Sequence, residues 1–245
     1  MSKEEVVGTV ELSDVEVNNE SVNIESEETE STDDFEVIEP TTNSAFVSTW
    51  ENAIPDEWCD KVVEFFDENE ADHTNTVHPD YRQFTELNLF DNELVDGKEP
   101  TTQPSKLSYD FMSMIYDYIE SYRRFYNISF FPRNAACEEI RIKKYSTEKE
   151  DFFNYHVDVG DHPSARRFLV IFLYLNDVEE GGETIFPEYG INIKPKKGTI
   201  AIFPPFWTHP HVGDVPKSND KYIIGTYMHY LDGTLEEVDT TDEEE

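Results

Sequence analysis

Basic residues are scarce in this chain: 19 Lys and Arg stand against 54 Asp and Glu, a formal net charge of −35 over 245 residues. Such a surface repels phosphate backbones and opposes docking on anionic membranes, so neither nucleic acid nor membrane is expected as a partner. Cysteine is scarce too. Cys59 and Cys137 are the two, and neither sits in a C-x-x-C pair, so no metal knuckle or dithiol motif is encoded. Two free thiols suit a reducing compartment. Long apolar runs are missing. The longest, Phe168 to Leu175, is eight residues, far short of the ~20 that a membrane helix needs. The N-terminal MSKEEVVGTVELSD has no apolar signal core. A soluble cytoplasmic protein is the expectation.

The charge is unevenly spread. Residues 1–44 hold 14 acidic groups against Lys3 alone, and residues 232–245 hold 8 with no base. Both segments are expected to be acidic tails, the first disordered for want of apolar surface to offset ordering entropy. Within the first, VEVNNESVNIESEE alternates weakly and is compatible with an edge strand. A basic partner for the tails is compatible with their charge. Residues 45–231 are then expected to form one domain.

Inside that domain the patterning changes once. Pro55-Asp56-Glu57 suits a helix start, and Trp58, Val62, Phe65 and Phe66 recur at helical spacing. Residues 70–104 read as loop-rich. A second helix is predicted from about Ser105 to Tyr126, with Leu107, Phe111, Ile115, Ile119 and Tyr122 in one stripe. After Phe130 short β segments dominate: Ile140–Ile142, RRFLVIFLYLND, Glu183–Phe186, Ile191–Ile193, Thr199–Phe203 and Tyr222–Tyr230, punctuated by Gly and Pro. Two helices followed by seven or eight strands predict an α+β fold, with the strands in a jelly roll or barrel behind supporting helices.

The chemistry is carried by FFNYHVDVGD. In a strand His156 and Asp158 would share a face, so an imidazole and a carboxylate converge. One more histidine from a distant strand would complete two histidines and a carboxylate on one face of a metal, the arrangement of non-haem iron(II) oxygenases. H-x-D alone means little, and a second copy, His78-Pro79-Asp80, exists. Proline between the two side chains, in a polar stretch, predicts a turn there instead. The third ligand should come from FPPFWTHPHVGDVP, where His209 and His211 are also two apart and spacing does not choose between them.

YHVDVGD, YLNDVEEGGETIFP, FPPFWTHPHVG and NDKYIIGTYMHY, in this order, resemble the prolyl 4-hydroxylase branch of the 2-oxoglutarate/iron(II) oxygenases. The resemblance covers roughly residues 50–231 and implies a double-stranded β-helix (jelly roll) core with supporting N-terminal helices. It implies His156, Asp158 and His211 as iron ligands. His211 is preferred over His209 because Gly213 and Lys221 follow it as the family's glycine and basic residue do. It implies that Lys221 pairs with the distal carboxylate of 2-oxoglutarate, that Tyr145 and Tyr174 help to hold that co-substrate, and that Arg167 faces the substrate, with Arg166 as the rival. Iron(II), 2-oxoglutarate, dioxygen and ascorbate are the implied cofactors and co-reactants. The implied reaction is hydroxylation of an aliphatic C–H, on a prolyl residue of a peptide first. Another residue, a free amino acid, or a non-catalytic binding module on the same fold are the alternatives. One position departs: Phe153 stands where the family often has tyrosine.

Overall fold

In the computed structural model, which describes residues 35–89, 100–132 and 135–231, two short strands lead into the first helix. They are β1 (Thr42–Ser44) and β2 (Val47–Trp50), paired as a hairpin. Helix α1 (Asp56–Glu68) follows Pro55, carries Asp56 and Glu57 in its first turn, and buries Cys59, Val62 and Phe66. A second hairpin, β3 (Thr74–His78) and β4 (Arg82–Asn88), precedes helix α2 (Gln103–Phe125). Thr102 caps α2 by accepting from the Ser105 N–H, and Pro104 occupies its first turn. Leu107, Phe111, Ile115, Ile119 and Tyr122 form its buried stripe, at the period expected of a helix with one face in a core.

The remaining chain is β. It runs through β5 (Ala135–Cys137), β6 (Arg141–Tyr145), β7 (Phe152–His156), β8 (Arg167–Tyr174) and β9 (Thr184–Phe186). It ends with β10 (Ile191–Ile193), β11 (Thr199–Phe203), β12 (His211–Gly213) and β13 (Lys221–Tyr230). The hydrogen-bonded order is β1-β2-β11-β8-β13-β6-β4-β7-β12-β9-β10, with β3 on β4 and β5 on β13. This antiparallel arrangement, nearly closed like a barrel, is the double-stranded β-helix, with the helices on one outer face. No helix among the described residues is long and apolar enough to cross a membrane.

The run FLVIFLY is explained by two covered faces. Leu169, Ile171 and Leu173 pack with α1 and α2, together with Ile200, Ile202 and Ile224. Val170, Phe172 and Tyr174 point into the β-helix, against Phe186, Ile193 and Phe203. A strand buried on both sides has no polar alternation to show. On β13 the alternation is visible: Tyr222 and Ile224 join the helix side, while Lys221, Ile223, Gly225 and Tyr227 line an internal cavity. Gly225 has no room for a side chain, since a Cβ would sit 2.8 Å from both the Ile171 carbonyl oxygen and Phe172 Cβ. Gly225→Ala should therefore cost about 1–3 kcal/mol through overpacking, measurable as a lower urea midpoint at unchanged slope.

Three sequence expectations need correction. Residues 36–44, assigned to the disordered tail, are structured up to the domain. The Trp50 indole N–H donates to the Ile38 carbonyl at 2.9 Å, Ile38 N–H donates to Ser121 Oγ at 3.0 Å, and β1 covers the edge of β2. A buried indole needs an acceptor, and this segment supplies it. Residues 70–104 are not simply loop, because they contain the β3–β4 hairpin; His78, Pro79 and Asp80 sit at its turn, as expected. The hairpin hides from pattern reading because the inward face of β4, with Arg82, Phe84 and Glu86, lines a cavity rather than a dry core. Finally, the strand count is thirteen among the described residues, because the additional strands are short or polar. The expected edge strand within 1–34 and the tail at 232–245 lie outside the described residues.

Candidate active site

His156 ends β7, and β12 pairs with β7 so that His211 lies directly opposite. The ring centroids are 4.2 Å apart. Each ring turns its Nδ1 to a main-chain carbonyl, His156 to Asn154 at 2.7 Å and His211 to His209 at 3.1 Å. A carbonyl can only accept, so Nδ1 carries the proton and Nε2 keeps a free lone pair. Both Nε2 atoms face Asp158, at 3.8 Å from Oδ1 for His156 and 3.6 Å from Oδ2 for His211. The ligand atoms of the three residues lie within 4.8 Å of one another.

Asp158 is not in the strand, contrary to the sequence expectation. The chain leaves β7 after His156, and Asp158 is held instead by its backbone: its N–H donates to the Pro205 carbonyl at 3.1 Å and its carbonyl accepts from Arg167 Nη1 at 3.0 Å. The carboxylate is half satisfied. Oδ1 accepts from the Tyr227 hydroxyl at 2.7 Å, whereas Oδ2 is buried with no hydrogen-bond partner among the described residues. A buried carboxylate oxygen with a free lone pair, between two imidazole nitrogens with free lone pairs, fits a divalent metal. The electrostatics agree. Burial, reinforced by His211, lowers the His156 pKa to about 4. Burial opposes the charge of Asp158, yet His211, His156 and the Tyr227 hydroxyl together hold its pKa below the ordinary value. Neutral imidazoles and an ionised carboxylate are the ligating forms.

His209 has both ring nitrogens engaged, Nε2 with the Ala45 carbonyl at 2.7 Å and Nδ1 with Thr208 Oγ1 at 2.8 Å. Its own carbonyl receives His211. It orients the neighbouring histidine rather than joining the cluster.

Lys221 begins β13 opposite Tyr145 and is 2% exposed. Its ammonium donates to the Gly182 carbonyl at 2.9 Å and lies 4.3 Å from the Tyr145 ring centroid. Among the described residues it makes no ion pair, and burial lowers its pKa to about 8, with Asp214 and Glu183 acting weakly the other way. A buried cation without a counter-ion, in the same cavity as the metal-type cluster, fits a dianionic co-substrate. Tyr174 shares that cavity, but its hydroxyl is paired with Thr184 Oγ1 at 2.7 Å. Of the two candidate arginines, Arg167 is the inward one. It grips Glu138 through Nε at 3.0 Å and Nη2 at 2.8 Å and lies 4.0 Å over the Tyr227 ring, while Arg166 is half exposed. Its side chain is thus spent on bracing Asp158 and Tyr227. Phe153, where a hydroxyl had been in doubt, stacks on the His156 ring at 3.5 Å.

Sequence reading missed Tyr227. The signal was available, since Lys221 and Tyr227 are six apart on one strand and so share its inward face. Tyr227→Phe removes the donor to Asp158 Oδ1 without changing shape. We expect a 10- to 100-fold loss of iron affinity, roughly what supporting residues around a metal contribute, seen by metal titration at an unchanged melting temperature.

Residues 140–229 match the family model described as the 2OG-Fe(II) oxygenase superfamily. The match spans just over a third of the chain. Prolyl 4-hydroxylase subunit alpha-1 of Gallus gallus is 35% identical over 78 residues, covering 28% of this chain and 14% of that one. A putative prolyl 4-hydroxylase of Acanthamoeba polyphaga mimivirus is 25% identical over 178 residues, covering 63% of this chain and 71% of that one. Among solved structures, a viral collagen prolyl hydroxylase from Paramecium Bursaria Chlorella virus-1, in its 2OG complex, superposes with a TM-score of 0.58. It is 18% identical, with coverage of 77% of this chain and 98% of that chain, and it shares the fold. The chain spans well under two thirds of several of its curated relatives, 14% of the Gallus gallus protein among them. The matched region contains His156, Asp158, His211 and Lys221, and it leaves out β4, whose Arg82, Phe84 and Glu86 line the same cavity.

Proposed function

We propose that this protein is an iron(II)- and 2-oxoglutarate-dependent dioxygenase that hydroxylates a prolyl residue of a peptide or protein. The observation that carries the reading is one cavity holding both the His156–Asp158–His211 cluster and the uncompensated Lys221 ammonium. Prolyl hydroxylase names among the relatives support the substrate class.

The residues divide the work. His156, Asp158 and His211 hold iron(II). Tyr227 and Arg167 fix the orientation of Asp158 through its side chain and its carbonyl. Lys221 takes the distal carboxylate of 2-oxoglutarate, with the Tyr145 ring beneath the ammonium and Tyr174 with Thr184 forming the adjacent wall. Phe84, Phe153 and Tyr145 form an apolar cluster that excludes water from the reacting region. With iron, 2-oxoglutarate and dioxygen bound, the site supplies oxidative decarboxylation to succinate and carbon dioxide coupled to hydroxylation of an aliphatic C–H. Free Cys59 and Cys137 fit a reducing compartment, and the cytoplasm is our proposal for location. For the acidic segments 1–34 and 232–245 we propose a solubilising or partner-binding role, with basic partners favoured.

The test is succinate formation with iron(II), ascorbate and 2-oxoglutarate, with and without a proline-rich peptide, with hydroxyproline measured in the product. Peptide-stimulated succinate with hydroxyproline supports the reading. Stimulation without hydroxyproline points to another residue. Absence of turnover in a folded protein that binds iron points to a binding module.

A further inference from the structure

Charged side chains line the cavity mouth, and most are committed. Arg167 is locked to Glu138. Arg141 pairs with Glu139 and lies 3.6 Å from Glu86, whose other oxygen accepts from Thr76 Oγ1. Lys221 sits at the co-substrate end. Two cations are left over. Lys143 makes neither a hydrogen bond nor an ion pair among the described residues, and its ammonium stands 5.1 Å from the Phe84 ring centroid. Arg82 makes no ion pair among the described residues either, and its guanidinium carbon lies 5.6 Å from both the Tyr81 and Phe153 ring centroids. Phe153 is the ring that stacks on His156, so Arg82 stands one aromatic ring away from a metal-type ligand.

Register fixes their position between the two ends of the site. On β6, Tyr145 faces Lys221, Lys143 faces Ile223 and Arg141 faces Gly225. Lys143 is thus one inward step outside the co-substrate lysine, where a second substrate would meet the metal. Across β4 it faces Glu86. Glu86 and Asp158 attract it, but burial is the larger effect and lowers the lysine pKa.

We propose, resting on the oxygenase reading above, that Lys143 and Arg82 form a carboxylate-recognition subsite, so that the preferred substrate carries an anionic carboxylate next to the carbon that is hydroxylated. Two uncommitted cations in a chain of net charge −35 are a local inversion of sign. Water-excluding rings on one side make a charge-assisted contact there stronger than at an open surface. The carboxylate has two possible sources: a Glu or Asp side chain flanking the reacting residue, or a terminal carboxylate of a short peptide or free amino acid.

The experiment uses the full chain and fluorescence anisotropy with three labelled probes. The first is a blocked peptide with Glu beside a central proline. The second is the same peptide with Gln. The third is a peptide ending in proline with a free carboxylate. The Glu probe, the free-carboxylate probe or both should bind at least tenfold more tightly than the Gln probe at low salt. Which one does so identifies the source. Lys143→Met should erase the gap, Lys143→Arg should keep most of it, and Lys143→Glu should invert it in favour of the Gln probe. Thermal melts run beside each variant separate a lost subsite from a lost fold. Equal binding of all three probes by the wild type, or binding of none, overturns the proposal. Succinate release is scored separately: a carboxylate preference without 2-oxoglutarate turnover would sink the oxygenase reading and leave the subsite standing.

Discussion

His156→Ala should lose iron binding and 2-oxoglutarate turnover together. Supporting residues around a metal already contribute about 10- to 100-fold each, so removing one of three protein donors should cost roughly a hundredfold or more in affinity. Isothermal titration with the metal, alongside succinate release, measures both. Asp158→Asn is the sharper variant. It keeps the shape and still accepts from Tyr227, but it removes the charge that two imidazoles converge on, and the same loss is expected. His209→Ala is the contrast. Its nitrogens are occupied by Ala45 and Thr208, so it should retain iron stoichiometry while softening the setting of His211. If His209→Ala loses the metal and His211→Ala keeps it, the ligand assignment is wrong.

Lys221→Met should raise the KM for 2-oxoglutarate by ~30-fold to several thousandfold, corresponding to about 2–5 kcal/mol for stripping one partner from a buried charge pair. The same variant should be more stable than wild type when no co-substrate is present. Its pKa of about 8 in the fold lies below the ordinary 10.5. At and below pH 8 the folded protein carries the full cost of a buried ammonium. Between pH 8 and 10.5 the unfolded chain binds the proton more tightly, so wild-type stability should rise with pH there. Lys221→Met should lack that rise. Two-oxoglutarate adds a counter-charge, so it should raise the wild-type melting temperature and leave that of Lys221→Met nearly unmoved. Melting curves at pH 7, 8.5 and 10, with and without the dianion, check all of this.

What could be read from the sequence follows a physical line. Both helices were legible because their buried stripes keep a 3.6 period: Pro55 marked the start of the first, and the second was placed within two residues at each end. The double-stranded β-helix was legible through β8, β11 and β13, where apolar content is highest. The hairpin β3–β4 was not, because β4 mixes charged Arg82 and Glu86 with Phe84 on the face that lines the cavity, which blurs the period of two. Lys221 and the three metal-type residues stood out because motif order marked them. Tyr227 and Lys143 carry no motif, and only their register on β13 and β6 brings them to the cavity. Arg167 was read as facing the substrate, whereas it grips Glu138, a partner 29 residues away that spacing could not reveal.

The position of β13 has a consequence for biosynthesis. This strand, the last among the described residues, inserts between β8 and β6 near the middle of the sheet. Until it emerges from the ribosome, FLVIFLY of β8 has one open edge, and β6 and β8 on either side of the cavity wall lack the strand that joins them. A nascent chain halted before residue 221 would thus expose the most aggregation-prone strand of the molecule. Productive folding should therefore wait for β13, with the metal and co-substrate pockets closing in a single late event. Pulse-labelled synthesis with limited proteolysis should show protease resistance appearing only after Tyr230 has cleared the exit tunnel.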